Sequence, residues 1–142
     1  MRMPSTIAVQ KQKRFTLLNP SSTGIDFNNK IKDTKEQNIL LYANFYGGAG
    51  VGVGDFNNDG LQDLYFAGNM VPDKLYLNQG NLTFKDVTES SGIIDDGGWS
   101  TGVTIADINN DGFSDIYVSR ELYDNKPEWR TNLLYINKGD GT

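Results

Sequence analysis

The chain has 142 residues, a formal net charge of -5, no cysteine and no histidine. Without cysteine there can be no disulfide bond and no cysteine-ligated zinc, and without histidine the commonest general base and transition-metal ligand is missing. The acidic balance disfavours nucleic acid as a partner. No stretch of the sequence approaches the ~20 apolar residues of a membrane span, so we expect none.

The chain begins with a polar segment, residues 1–14, which shows no sustained hydrophobic period and predicts a disordered leader. Its basic residues are not followed by an apolar core segment, so no signal peptide is visible. Residues 26–38 are polar and predict a loop or a short helix.

From residue 39 onward the pattern is that of short strands separated by turns rich in asparagine and glycine. Residues 49–54 and 101–106 alternate small and β-branched side chains, which indicates strands whose backbones approach a neighbour closely. Further strands are predicted over residues 64–68, 75–77, 82–87, 116–119 and 134–136. Four short antiparallel strands to a unit are typical of a propeller blade.

Two copies of one acidic loop lie between these strands, at residues 55–63 (DFNNDGLQD) and 107–115 (DINNDGFSD). Both match the pattern D-x-N-x-D-G-x-x-D, with oxygen-bearing side chains at positions 1, 3, 5 and 9 and glycine at position 6. Such a set of hard oxygen ligands indicates a divalent cation, and Ca²⁺ accepts six to eight of them in flexible geometry. Position 7, which is Leu61 or Phe113, can offer its backbone carbonyl.

The sequence around the loops repeats as well. Residues 53–66 align without gaps on residues 105–118, and KLYLNQG at 74–80 matches LLYINKG at 133–139. A phenylalanine strand followed by an S-x-G-I turn opens each unit, near Phe15 and again near Phe84. We therefore divide residues 15–142 into unit one, about 15–81, and unit two, about 82–142, which stops before its last strand. A repeat of this length predicts an all-β fold, here a partial propeller of about two four-stranded antiparallel blades.

The acidic charge of the chain is concentrated in the two loops, which hold six of its 18 acidic residues. Two Ca²⁺ ions would change the formal charge from -5 to about -1, so the acidity needs no basic partner. Three carboxylates in one loop repel each other, and we expect an empty loop to fray. A calcium site of this kind also favours an extracytoplasmic location, where free calcium is high.

Alternative explanations exist for four segments. An EF-hand needs glutamate at loop position 12 and flanking helices, whereas that position is Phe66 or Val118 and the flanks predict strands. The glycines of residues 47–54 resemble a nucleotide loop, but no G-K-[ST] follows and a structural strand is favoured. Residues 95–100 (DDGGWS) are either a ligand or sugar contact or a turn with a tryptophan packed between blades. The insertion with Arg120, Glu121 and Tyr123 is either a recognition loop or simply solvated.

The unit G-x-G-D-[FI]-N-N-D-G-x-x-D-[LI]-Y resembles the FG-GAP or VCBS repeat of integrin α-chain propellers and bacterial surface proteins. Residues 50–60, 69–78 and 98–103 are more similar still to the bacterial ASPIC/UnbV, cartilage-acidic-protein-like group. The resemblance covers about residues 15–142 and implies a seven- or eight-bladed propeller that binds Ca²⁺ between the first two strands of a blade. The remaining blades would belong to a longer chain.

The resemblance also implies a ligand set for two Ca²⁺ ions. The first ion is assigned Asp55, Asn57, Asp59, the Leu61 carbonyl and Asp63, and the second Asp107, Asn109, Asp111, the Phe113 carbonyl and Asp115. The function expected from it is a non-enzymatic, calcium-stabilised module on the cell surface or secreted, which recognises protein or carbohydrate. Two alternatives stay open: a non-catalytic part of a larger propeller enzyme, and a calcium-responsive switch.

Overall fold

The computed structural model describes residues 14–121 and 126–139. The predicted leader therefore lies outside the described residues apart from Arg14, as does Tyr123 of the insertion. The strands are β1 (Val51–Gly54), β2 (Asp63–Phe66), β3 (Lys74–Asn78), β4 (Phe84–Asp86), β5 (Trp99–Ala106), β6 (Asp115–Glu121) and β7 (Leu133–Tyr135). Helix α1 (Pro20–Thr23) and a 3-10 helix (Pro127–Arg130) are the helical segments of this part of the chain.

The strands form two antiparallel sheets in simple up-and-down order, β1-β2-β3-β4 and, among the described residues, β5-β6-β7. Their registers repeat the sequence alignment: Gly54 pairs with Asp63 at the mouth of the first acidic loop, and Ala106 pairs with Asp115 at the second. The all-β fold class and the blade-like sheets predicted from the sequence are thus confirmed. The sequence units and the sheets are offset, because β4 opens unit two in the sequence but is the fourth strand of the first sheet.

The two sheets pack against each other through a row of glycines. A Cβ atom on Gly52 would lie 2.7 Å from Ile105 Cδ1 and 2.8 Å from Val103 Cγ1, so β1 approaches β5 as closely as a bare backbone allows. Behind this contact the core cluster is Phe56, Tyr65, Leu75, Val87, Ile116 and Val118. Small residues on one strand and branched residues on the next therefore set the distance between the sheets.

One prediction near the N-terminus differs from the structure. The phenylalanine strand expected at Phe15 is absent, and this side chain is 91% exposed, because no described strand lies beside it to pair with. Helix α1 follows instead: the Asn19 side chain accepts a hydrogen bond from Ser21 N, and Gly24 ends the helix in the left-handed region at φ 78°. Residues 26–38 form a loop, which is one of the two alternatives predicted for them.

The glycine row gives a test of the contact between the sheets. A Cβ on Gly50 would lie 2.7 Å from the backbone nitrogen of Val103, and a backbone atom cannot move aside as a side-chain end can. We expect Gly50→Ala to lower the free energy of unfolding by about 1–3 kcal/mol, measured by urea denaturation. The matched control is Val51→Ala, at a side chain that is half exposed. Equal stability of the two variants would contradict the close approach of β1 and β5.

Candidate metal centre

The first acidic loop joins β1 to β2 and is folded around its own carboxylates. The Asp55 side chain accepts hydrogen bonds from Asp59 N (3.1 Å) and Gly60 N (2.8 Å), one at each oxygen. Asn57 Oδ1 also accepts from Asp59 N, at 3.2 Å, and Asp59 Oδ1 accepts from Leu61 N, at 2.8 Å. These are Asx-type turns, in which a short side chain satisfies the next backbone donors. Gly60 has φ 87°, which explains the glycine at position 6.

The second loop repeats this geometry bond for bond. Asp107 accepts from Asp111 N (3.1 Å) and Gly112 N (2.9 Å), and Asp111 Oδ1 accepts from Phe113 N (2.9 Å). In each loop the asparagine at position 3 donates through Nδ2 to the aspartate at position 5, at 2.9 Å in the first loop and 2.7 Å in the second. The predicted ligands of each loop are therefore neighbours in space.

The aspartate at position 9 is held differently, because it is buried in the sheet. Asp63 accepts from Phe56 N (2.8 Å) within the loop and from Asn78 N (2.7 Å) on β3. Asp115 makes the equivalent bonds to Ile108 N (2.9 Å) and Asn137 N (2.8 Å). Burial raises the pKa of Asp63, and the nearby negative charges of Asp59 and Asp55 add to this, against the two backbone donors that lower it.

The donor chemistry of each loop fits a calcium ion. Each loop offers three carboxylates, and every carboxylate oxygen that accepts one N–H keeps a second lone pair for an ion. Burial is the main cause of the raised pKa of Asp63, and the negative charges of Asp59 and Asp55 add to it. As the side chains stand, however, no three acidic residues within 14–121 and 126–139 converge on one point as a metal cluster. The side chains at positions 3 and 5 would have to turn away from each other to complete the site.

Asn78 and Asn137 belong to the site although the sequence reasoning did not single them out. Each follows the L-Y-[LI] strand, and its backbone N–H binds the aspartate at position 9. Asn137 also donates through Nδ2 to Phe56 O at 2.8 Å, so it connects the two loops. A second connection runs from Asn58 Nδ2 to Gly112 O at 3.3 Å. The repeated asparagine of L-Y-x-N was the sequence signal for this role.

The structure also distinguishes between the alternative explanations for residues 95–100, for the glycines of residues 47–54 and for part of the insertion. Trp99 is buried, as the packing interpretation of residues 95–100 predicted, but its ring packs against Phe45 and Tyr42 in the segment before β1 and not against a second blade. The glycines of residues 47–54 lead into β1 and an acidic loop, not into a helix. Within the insertion, Arg120 is 6% exposed, so the interpretation as a solvated residue is wrong for it: β6 extends through Glu121 and carries its side chain inward. Glu121 itself is exposed and accepts a hydrogen bond from the Tyr42 hydroxyl.

The buried aspartate gives a prediction that is independent of any ion. In Asp63→Asn one carboxylate oxygen becomes an NH₂ group, which would face a backbone N–H donor at the same place. We expect a loss of about 1–3 kcal/mol in the free energy of unfolding, measured by urea denaturation in the presence of EDTA. Asp59→Asn makes the same change at an exposed position and is the control. If both variants unfold alike, Asp63 is not the anchor of the loop.

Two aspartates outside the loops, the buried Asp73 and the partly exposed Asp96, should have pKa values shifted in opposite directions. Burial raises the pKa of Asp73 above its ordinary value of 3.8, although three hydrogen bonds and Arg120 oppose the shift. Burial acts the same way on Asp96, but there the hydrogen bonds from Arg120 and Gly98 prevail and lower the pKa. We expect carboxyl ¹³C NMR to show Asp73 titrating above 3.8 and Asp96 below it.

The consequences for stability follow from these directions. The folded state favours protonated Asp73, so the contribution of this group falls as the pH rises from 3.8 through its raised pKa. Asp96 contributes stability above pH 3.8 and loses it as the pH falls through its lowered pKa. A shared midpoint for the two carboxyls would contradict both assignments.

Comparison with known proteins agrees with this geometry. The profile of the FG-GAP-like repeat family matches residues 55–118, which run from the start of the first acidic loop into strand β6. The chain is 36% identical over 72 residues to cartilage acidic protein 1 of Xenopus tropicalis, and 39% identical over 69 residues to that of Mus musculus. The human protein is 36% identical over 72 residues.

These matches cover about half of the chain, 49% to 51%, and only 11% of each relative. The loops are flanked by strands, so the EF-hand alternative is wrong. No helix of the described residues is long and apolar enough to cross a membrane. Residues 55–118 therefore match the FG-GAP-like repeat, and the chain is similar, across half of its length, to cartilage acidic protein 1.

Proposed function

We propose that this chain is a calcium-binding part of an FG-GAP/VCBS-type propeller that recognises a protein or carbohydrate ligand. The observation that carries the proposal is the duplication of one loop, with the same hydrogen bonds at the same place in two neighbouring sheets. A single acidic turn would be unremarkable on a surface. Two copies with matched geometry and three carboxylates each are better explained by a shared ligand, and hard oxygen donors favour Ca²⁺.

Each ion would be held by four side chains and one carbonyl. The proposed sets are Asp55, Asn57, Asp59, Leu61 O and Asp63, and Asp107, Asn109, Asp111, Phe113 O and Asp115. When bound, the ion supplies positive charge that compensates the three carboxylates. The protein supplies the position: the aspartate at position 9 is already bound to the backbone of Asn78 or Asn137, so an ion bound there joins the loop to the third strand of its sheet.

A structural ion fits this arrangement better than a sensor does. Asp63 is fully buried and its partners are backbone groups of the sheet, so binding stiffens elements that are already formed. A calcium-responsive switch would need a second packing of these strands, exposing part of the core cluster. The core side chains Tyr65 and Val118 are both 0% exposed. The switch remains the alternative that the experiment below separates.

The recognition role and the location are part of the same proposal. Propeller repeats usually present their loops as binding surfaces on a rigid scaffold. The relatives are named for cartilage and for acidity, which is in keeping with an extracytoplasmic calcium protein of this composition. The acidic residues of the loops form a repeated motif, which disfavours a single catalytic site among them. A non-catalytic role within a larger propeller enzyme is the second alternative.

Calcium titration tests the proposal directly. By isothermal titration we expect two Ca²⁺ ions per chain, and one ion in either Asp59→Ala or Asp111→Ala, because each removes one carboxylate from one loop. Calcium should raise the melting temperature of the wild type and, for a structural ion, leave the binding of an apolar dye unchanged.

The control is Asp95→Asn, which removes an exposed acidic residue outside both loops and should keep two sites. Folded wild-type protein that takes up no calcium would refute the proposal. A calcium-dependent rise in dye binding would favour the switch.

A further inference from the structure

The face opposite the acidic loops holds a second polar site. The β2–β3 connection, the β4–β5 connection, the end of β6 and the 3-10 helix Pro127–Arg130 line a cavity of about 380 Å³. Its walls include Asn69, Asp73, Asp96, Ser100, Arg120 and Trp129. The cavity is far larger than one water molecule needs and is in the range of small-molecule sites. Four of these residues, Asn69, Asp73, Ser100 and Arg120, are polar side chains that are at most 6% exposed.

The buried polar groups of this cavity are paired with one exception. Asp73 accepts from the Tyr65 hydroxyl (2.7 Å), the Ser100 hydroxyl (3.0 Å) and Gly68 N (2.7 Å). Asn69 donates to Ser100 O at 2.9 Å and accepts from the Asn29 side chain at 2.7 Å. These groups have partners that hold the three connections together.

The exception is the Nε–H group of Arg120. Its guanidinium donates through Nη1 to Asp96 at 2.8 Å, while the buried Nε has no hydrogen-bond partner within residues 14–121 and 126–139. An unpaired buried donor is costly, and native structures rarely keep one without a reason. A buried guanidinium Nε–H group without an acceptor among the described residues, beside a cavity of this size, is suited to donate a hydrogen bond to a ligand oxygen.

We propose that this cavity binds a neutral saccharide unit, one of whose hydroxyl oxygens accepts the hydrogen bond of Arg120 Nε. This names the ligand class for the recognition role under the proposed function and rests on that role. The remaining hydroxyls of the sugar donate to the carboxylates at the rim, of which Asp95 is exposed and Asp96 half exposed. A hydroxyl group serves both needs of the site, because it accepts from a guanidinium and donates to a carboxylate.

The local charge decides against other ligands. Three carboxylates, those of Asp73, Asp95 and Asp96, line the cavity with one guanidinium. Their excess negative charge opposes a carboxylate or phosphate ligand. A cation would suit the carboxylates but cannot accept the Nε–H bond. A neutral polyol satisfies both kinds of group without adding charge.

The wall over the guanidinium consists of glycine backbone. A Cβ atom on Gly98 would lie 2.7 Å from Arg120 Cζ and 3.0 Å from Nε, so the guanidinium packs directly on this residue. Gly97, beside it, has φ 78° and faces the Trp129 ring. The backbone at residue 98 thus shields Nε from bulk water. In the proposed complex, residues 97–98 move aside so that the sugar reaches Nε. Glycine at both positions makes that displacement sterically easy.

The Nε–H group can be observed directly. In a ¹H–¹⁵N spectrum of the wild-type chain, the Arg120 Nε–H signal is assigned by its loss in Arg120→Lys. We expect glucose, galactose, mannose or N-acetylglucosamine at millimolar concentration to shift this signal and the backbone amides of residues 97–98. The amides of residues 55–63 should not move. Glucuronate and inorganic phosphate should bind at least several-fold more weakly than the neutral sugars.

Arg120→Lys keeps the charge but removes Nε–H, and should weaken saccharide binding about tenfold or more. Arg130→Lys makes the same chemical change at an exposed arginine and should bind as the wild type does. If Arg120→Lys fails to fold, the shift of the backbone amides of residues 97–98 in the wild type and a weaker affinity in Asp95→Asn, at the exposed rim, take its place. An Nε–H signal that no neutral sugar moves, or tighter binding of glucuronate or phosphate, would overturn the proposal. Calcium uptake by the loops in that case would leave the proposed function intact.

Discussion

The structure depends on a buried carboxylate that serves three elements at once. Asp63 in the first sheet and Asp115 in the second each accept one N–H from the acidic loop and one from the end of the sheet's third strand or just after it, at Asn78 and Asn137. Burying a negative charge is unfavourable, as the raised pKa of Asp63 records, and the two short hydrogen bonds offset that cost. Because both oxygens are used, the loop, the second strand and the third strand keep one relative position.

The contact between the two sheets places the two acidic loops next to each other. Glycines of β1 let Val103 and Ile105 of β5 approach the backbone, and this spacing brings the two acidic loops side by side. Hydrogen bonds from Asn58 to Gly112 O and from Asn137 to Phe56 O then cross between the sheets. Antiparallel connectivity puts the β2–β3 and β4–β5 connections at the other end, so the acidic loops and the polar cavity lie on opposite faces.

Much of this could be predicted from the sequence because the signals are local and duplicated. The Asx turns of the loops, the left-handed glycine at position 6 and the alternating strands depend on neighbours within a few residues, and the repeat showed each of them twice. What failed was long-range. The polar insertion indicated a solvated segment, but Arg120 is buried and its guanidinium donates a hydrogen bond to Asp96, 24 positions away. Phe15 matched Phe84 in sequence, yet a strand forms only where another edge is available to pair.

The two faces are joined by β2. Asp63 and Tyr65 are two positions apart on this strand and therefore point to the same side of the sheet. Asp63 is the residue at the acidic loop, whereas the Tyr65 hydroxyl binds Asp73 at the wall of the cavity. Asp73 in turn holds Ser100, at the start of β5. An ion that fixes Asp63 would therefore steady the strand on which the cavity's hydrogen bonds are built. It needs no contact with a ligand to do so, and this is the role that a structural ion would have in a recognition module.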